Sequence, residues 1–293
     1  MIRFSKYMWL YFLISGLVII PGLISLVSWG LRPAIDFTGG TLLEVQFPQV
    51  TKQQELERIL QGQNITASSI QNIDGKIYLI RLKPQSTAGL RALEESLVSK
   101  EVGAVLLRNE TVGPVLGREL LQKTFTAAIF AIVAILSYVA YAFKNIKFGV
   151  SAICALIHDL LVVLGVFSLL GHFYHVEVDT LFVTAFLTTM SFSVHDTIVV
   201  FDRIRELLKK GERITFETLT DTALTETMGR SFANSITIIF MLLALVLLGG
   251  ASIKWFVFAL LIGTVSGTYS SPFIATPILI LWHRFEKRRK SDK

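Results

Sequence analysis

Residues 180–203 read TLFVTAFLTTMSFSVHDTIVVFDR. From Thr180 to Phe201 the run is long and apolar enough to cross about 30 Å of hydrocarbon as a helix. It nevertheless carries His195 and Asp196 before Asp202 and Arg203 close it. A carboxyl near the middle of a membrane helix costs roughly 2.5–3.5 kcal/mol on insertion scales, so something must compensate. Thr189, Ser193 and Asp196 follow at spacings of four and three. That spacing predicts a polar face turned towards other helices or a water-filled path, not towards lipid. The stretch therefore reads as one member of a helical bundle in a membrane.

Similar runs lie on both sides of it: Met8 to Trp29, Thr124 to Phe143, Phe148 to Leu170, Ser231 to Leu248 and Trp255 to Trp282. Six spans are expected. The composition agrees, with 52% of the 293 residues hydrophobic and 17% charged and a mean hydropathy of +0.59. These values exclude a water-soluble globule, a disordered chain and a collagen. The single cysteine, Cys154, excludes an intrachain disulfide. The first run is too long for the apolar core of a cleaved signal and has no small-x-small cleavage site, so a retained anchor is expected.

Charge sets the orientation. The net charge is +6, yet residues 31–121 hold ten basic and ten acidic side chains. The excess collects beside the apolar runs, at Arg3 and Lys6, Lys144 and Lys147, Arg203 to Arg213, and Arg284 to Lys293. It alternates with Gly171 to Val178, which has no Lys or Arg, and Gly249 to Lys254, which has one. Both termini are expected in the cytoplasm, with residues 31–121 on the outer face. The basic residues lack interleaved aromatics on a soluble face, so no nucleic-acid partner is expected.

The expected organisation is a tail and first span over 1–30, an extracytoplasmic α+β domain over 31–121, five spans over 122–282 and a basic tail over 283–293. Within the α+β domain, Thr41 to Phe47 alternates as a strand and Thr51 to Gln61 reads as a helix capped by Thr51. Asn64 to Ile73 is strand-like before an Asp74-Gly75 turn, and Lys76 to Lys83 alternates again. Ser86 to Lys100 carries Leu90, Leu93 and Leu97 on one helical face, and Gly103 to Glu110 is a last strand. The order βαββαβ predicts a ferredoxin-like domain. Residues 203–229, with Leu207-Leu208 and Ile214, Phe216 and Leu219 among charges, predict an amphipathic connection along the inner surface.

Other polar groups offer weaker signals. Arg230 heads the fifth span and reads either as the counter-charge of Asp196 or as a snorkelling anchor. His195 points about 100° from Asp196, so it predicts a packing hydrogen bond before a proton relay. His158-Asp159 in the third span is a second-rank candidate for the same polar path. His172, His175, Glu177 and Asp179 match no closed zinc pattern, so no metal is expected. The HExxH, GxxxxGK[ST] and GxSxG motifs are absent, which argues against an enzyme. Gly263 and Gly267 form a small-xxx-small surface for close helix approach.

Four stretches together resemble the SecF family of bacterial Sec translocase subunits. They are Ile35 to Thr41 (IDFTGGT), Thr111 to Gly117 (TVGPVLG), His195 to Glu206 (HDTIVVFDRIRE) and Gly267 to Ser271 (GTYSS). The resemblance implies a half transporter of RND type with one span, an outer domain and five further spans. It implies a bacterial inner-membrane subunit that pairs with SecD beside the SecY-SecE-SecG channel and uses the proton-motive force to help a translocating preprotein leave. It marks Asp36, Gly39, Gly40, Gly113, Pro114, Gly117, Asp202 and Arg203 as structural motif residues, and Asp196 with Arg230 as the proton-coupling pair, beside which His195 is a third proton-coupling candidate. No cofactor is implied. His195 stands where relatives usually have Asn, which sets a titratable group beside the acid, and Met228-Gly229 stands where they commonly show Leu-Ser. A passive scaffold for SecD and a small-molecule or lipid exporter of RND type are the competing readings. The exporter is disfavoured because five packed spans normally need a pseudo-symmetric second half, and no such repeat is present.

Overall fold

The computed structural model describes residues 3–51, 53–63, 65–72, 75–83, 85, 87–99, 103–142, 145–211 and 214–291. Asp74 of the expected turn, Lys144 and Arg213 of the basic clusters, and the expected element ends Asn64, Ile73, Ser86 and Lys100 lie outside these residues. The chain divides into two units, residues 33–126 and the remainder.

The smaller unit runs α2 (Ile35–Thr38), β1 (Gly40–Gln46), α3 (Gln53–Gly62), β2 (Ala67–Asn72), β3 (Ile77–Leu82), α4 (Thr87–Val98) and β4 (Val105–Val112). Its strands form an antiparallel sheet in the order β2-β3-β1-β4. Alternation explains the packing. Leu43, Val45, Tyr78, Ile80 and Leu82 all fall on one face of the pleat and are buried against Leu56 and Leu60 of α3 and Leu90, Leu93 and Leu97 of α4. Thr51 turns its hydroxyl to the Gln49 carbonyl at 3.1 Å.

Glycines join the two ends of this unit. Gly39 has φ +72°, and a Cβ there would lie 2.7 Å from Pro114 Cα. A Cβ on Gly117 would lie 2.9 Å from the Gly39 nitrogen, and one on Gly40 (φ +135°) 2.6 Å from the Leu82 carbonyl oxygen. The segment entering the domain and the segment leaving it thus touch backbone to backbone, which only glycine allows. Asp36 sits in α2 and Gly113 immediately precedes α5.

The larger unit, with the first half of α5 shared, is helical. Among the described residues six helices are long and apolar enough to cross a membrane. They are α1 (Met8–Trp29) with a 3-10 turn before it, α5 (Pro114–Ala142), α6 (Ile146–Tyr174), α7 (Thr180–Lys210), α8 (Phe216–Leu248), and α9 (Ala251–Ser270) continued through a π-helical turn (Ser271–Ala275) into α10 (Thr276–Ser291). The π turn falls where Pro272 removes a backbone donor from the expected sixth span. α6, α7 and α9–α10 form the centre, while α5 and α8 are peripheral.

Two in-register seams of small residues hold the centre. Ser15, Gly22 and Ser25 of α1 meet His158, Gly165 and Ser168 of α6, each set spaced by seven and three. The two serine hydroxyls lie 2.7 Å apart, and Ser168 donates onward to the Gly30 carbonyl at 2.7 Å. Gly263 and Gly267 of α9 lie against Thr189 and Ser193 of α7.

The connection over 203–229 differs from the expected surface-lying segment. α7 continues to Lys210 and ends at Gly211 with φ +70°, and α8 begins at Phe216, its first turn capped by Thr215, which accepts from the Thr218 amide. Of the apolar residues that suggested a membrane-surface face, Leu207 and Leu219 pack inward with Phe216 half-buried against them, while Leu208 and Ile214 are exposed. Leu207, Leu219, Ala223 and Leu224 join Phe4 and Phe201 in one buried cluster. Asp221 fastens the chain start there, accepting from the Ser5 amide at 2.9 Å and the Ser5 hydroxyl at 2.8 Å.

Candidate functional site: two buried carboxyls in the helical bundle

Asp159 and Asp196 are both buried, at 4% and 5% exposure, and their surroundings differ sharply. Four groups from three helices surround Asp159. Ser266 donates to Oδ1 at 2.6 Å, Ser193 and Ser270 donate to Oδ2 at 2.5 and 2.6 Å, and His158 Nδ1 lies 3.0 Å from Oδ1. His158 Nε2 in turn lies 3.0 Å from the Ser15 hydroxyl of α1. A carboxylate has about four acceptor positions, and here all four are occupied.

Asp196 has no such shell. Ser235 of α8, fully buried, is the hydroxyl set against it, but that hydroxyl completes no hydrogen bond among the described residues. Beside Asp196 is a crevice of about 10 Å³ lined also by Ser231 of α8, Thr268 of α9 and Ser271 of the π turn, room for one water at most. Ser271 is joined in turn to Thr197, hydroxyl to hydroxyl, at 2.8 Å. The polar face expected on α7 is therefore shared: Thr189 and Ser193 serve the α9 seam and Asp159, while Asp196 turns towards α8.

Among the described residues no ion pair joins Arg230 to Asp196. It is exposed and lines a wide cleft with Asp202, Arg203, Glu206 and Glu226. Arg203 crosses from α7 to α8, with Nε 2.6 Å from Glu226 and Nη1 2.5 Å from Glu206, and Asp202 accepts from Arg205 at 3.1 Å. His195 is exposed on α7, on the same stripe as Thr184, Thr188 and Ser191. The threonines return their hydroxyls to carbonyls of their own helix at 3.0 and 2.7 Å. Ser191 and His195 make no hydrogen bond among the described residues.

The His172 to Asp179 group is engaged in packing and capping. His172 stacks on Trp29 with ring centroids 3.7 Å apart, Arg32 contacts His175 and Glu177 at 2.6 and 3.5 Å, and Asp179 accepts from the Phe182 amide at 2.7 Å.

Comparison with known proteins places this arrangement. The family described as protein export membrane protein SecD/SecF, C-terminal, matches residues 93–285, and the SecD/SecF GG motif matches residues 24–47. The protein translocase subunit SecF of Thermobaculum terrenum is 41% identical over 301 residues, covering 96% of this chain and 94% of the relative. The chain belongs to the SecF family. The SecF of Anaerolinea thermophila is 36% identical over 96% of this chain and 94% of its own length. Among solved structures, the crystal structure of SecDF from Thermus thermophilus, described as a translocon-associated membrane protein, superposes with a TM-score of 0.86 at 31% identity. It covers 97% of this chain, whereas this chain spans 39% of that SecDF. The fold is RND-like, and the protein is a multi-pass membrane protein. The GG match includes Gly39 and Gly40, the glycines that meet the Pro114 to Gly117 segment.

Sequence reasoning ranked Asp159 second and passed over Ser15, Ser266 and Ser270. A signal was present, since Ser266 and Ser270 stand four apart in the sixth span and so share one helical face.

Proposed function

We propose that this SecF-family chain works with SecD, beside the SecY-SecE-SecG channel of the bacterial inner membrane, to couple the proton-motive force to late steps of preprotein translocation, with both termini cytoplasmic and residues 31–121 outside. The observation that carries the reading is Asp196, a carboxyl buried in the bundle that, among the described residues, has only the Ser235 hydroxyl set against it. A buried polar group in that condition needs a donor from elsewhere, and a proton is the donor that a transmembrane gradient supplies. Each proton crossing 100 mV delivers about 2.3 kcal/mol, enough to bias a two-state element about fifty-fold.

The outward stripe of α7 supports a partner at the same depth. Ser191 and His195 face away from the bundle, and polar side chains on a membrane helix are normally covered by protein or line water. A relative named SecDF, of which this chain covers 36%, supports a SecD-type bundle as the cover. Arg230, also exposed, then belongs to the surface presented to that partner, and its counter-charge is supplied across the interface or by Asp202 and Glu206 beside it.

The test is complementation in SecF-depleted cells with Asp196→Asn, Asp196→Glu and the native chain, measuring accumulated precursor. Coupling through Asp196 predicts accumulation with Asn and partial relief with Glu while SecD still co-purifies. Normal export with Asn would leave this chain as a scaffold for SecD.

A further inference from the structure

A second titratable pair lies in the bundle, and the coupling reading does not use it. Adjacent helical residues normally diverge by about 100°, yet His158 and Asp159 bend together until Nδ1 and Oδ1 are 3.0 Å apart. Three serine hydroxyls, from α7 and α9, spend their protons on the same carboxyl. Among the described residues no Lys or Arg pairs with it. The other ionisable groups facing the pair are Tyr269 of α9, whose ring stacks 6.1 Å from the imidazole, Tyr11 of α1, whose carbonyl accepts from Tyr269, Cys154 one turn earlier on α6, and Asp196 one turn beyond Ser193 on α7. None of these is a cation at neutral pH.

The proton inventory then decides the matter. With one proton on the pair the cluster is neutral, either as imidazolium and carboxylate or as neutral imidazole and carboxylic acid. The short Nδ1–Oδ1 contact suits both, since the proton lies on the line between the two atoms in each. Ser15 suits both as well, because Nε2 carries a hydrogen in each and the Ser15 hydroxyl accepts from it. Without that proton a net negative charge stays buried with no cation beside it, an arrangement that low-dielectric surroundings penalise heavily.

We infer that His158 and Asp159 form a second proton-binding site, holding one shared proton that exchanges with water independently of Asp196. Its hydrogen-bond shell is complete in both internal forms, so the site stores a proton without requiring the helices to move. Asp196, with only the Ser235 hydroxyl set against it among the described residues, has the opposite character.

The test uses the full chain with ¹⁵N-labelled histidine in lipid nanodiscs, following ring nitrogens by NMR from pH 4 to 10. His158→Gln assigns the signal. Expected is a pH-dependent His158 signal in the native chain, unchanged in Asp196→Asn and displaced in Asp159→Asn, which removes the charge at contact distance. Should Asp159→Asn fail to fold, Ser266→Ala, which removes one donor to the carboxyl, is expected to move the same midpoint. A His158 signal that does not titrate, or one that moves in Asp196→Asn but in neither Asp159→Asn nor Ser266→Ala, overturns the proposal. None of these outcomes depends on export, so they stand apart from the coupling reading.

Discussion

Replacing Gly165 by alanine probes the seam between α1 and α6. A Cβ at this position would lie 2.7 Å from Gly22 Cα and 3.1 Å from its carbonyl carbon, whereas carbon atoms rest at about 3.5–4.0 Å. The obstacle is backbone on both sides, so no side chain can swing away and the helices must part by about 1 Å. That displacement stretches the Ser25–Ser168 and Ser15–His158 contacts, now 2.7 and 3.0 Å, beyond hydrogen-bonding distance. Overpacking costs about 1–3 kcal/mol, and two interhelical hydrogen bonds in a membrane add about 0.6 kcal/mol each. The expected loss is about 2–4 kcal/mol, measured by reversible unfolding in mixed micelles followed by circular dichroism. Gly16→Ala is the matched control on α1, because its Cβ would meet only the tip of Ile20 at 3.8 Å. It should leave stability unchanged or raise it by up to about 1 kcal/mol through helix propensity. Equal effects of the two substitutions, or a loss under about 0.5 kcal/mol for Gly165→Ala, would refute the seam.

Three further outcomes are expected. Gly39→Ala combines a φ of +72° with a Cβ 2.7 Å from Pro114, and should cost about 2–4 kcal/mol, seen as faster amide exchange along β1 and β4 in the full chain. Ser270→Ala withdraws one donor from the saturated Asp159 and should cost about 1–3 kcal/mol in the same unfolding assay, while Ser191→Ala, on the outward stripe, should cost under about 0.5 kcal/mol. Asp221→Ala removes both partners of Ser5, and exchange of the Ser5 amide should accelerate by tenfold or more, corresponding to the roughly 1.4 kcal/mol of a modest hydrogen-bond loss.

Spans and the βαββαβ order were readable because each depends on a local period: long apolar runs for the helices, alternation for β1 and β3, and Leu90, Leu93 and Leu97 for α4. Asp196 stood out because a carboxyl is conspicuous in such a run. Its relation to Arg230 was not readable, since that depends on helix azimuth. Ser235 is the α8 residue set against Asp196, and Arg230 precedes it by five positions, which is about 140° around the helix. The inward packing of part of the 203–229 connection was not readable for a related reason. Leu207, Phe216 and Leu219 have the same amphipathic pattern whether they rest on lipid headgroups or on Phe4 and Phe201, and only tertiary packing decides. The Asp159 cluster draws on α6, α7 and α9, with α1 joined through His158, so no single window of sequence contains it. Its parts were individually bland serines.

The central claim is that Asp196 belongs to the path by which a proton gradient assists export. The most direct measurement is completion of preprotein export into membrane vesicles carrying the native chain or Asp196→Asn, with and without an imposed proton gradient, after equal assembly with SecD has been verified. The gradient-dependent component should vanish in the variant while gradient-independent export persists. An undiminished response to the gradient in Asp196→Asn would contradict the account and reduce this carboxyl to a structural group.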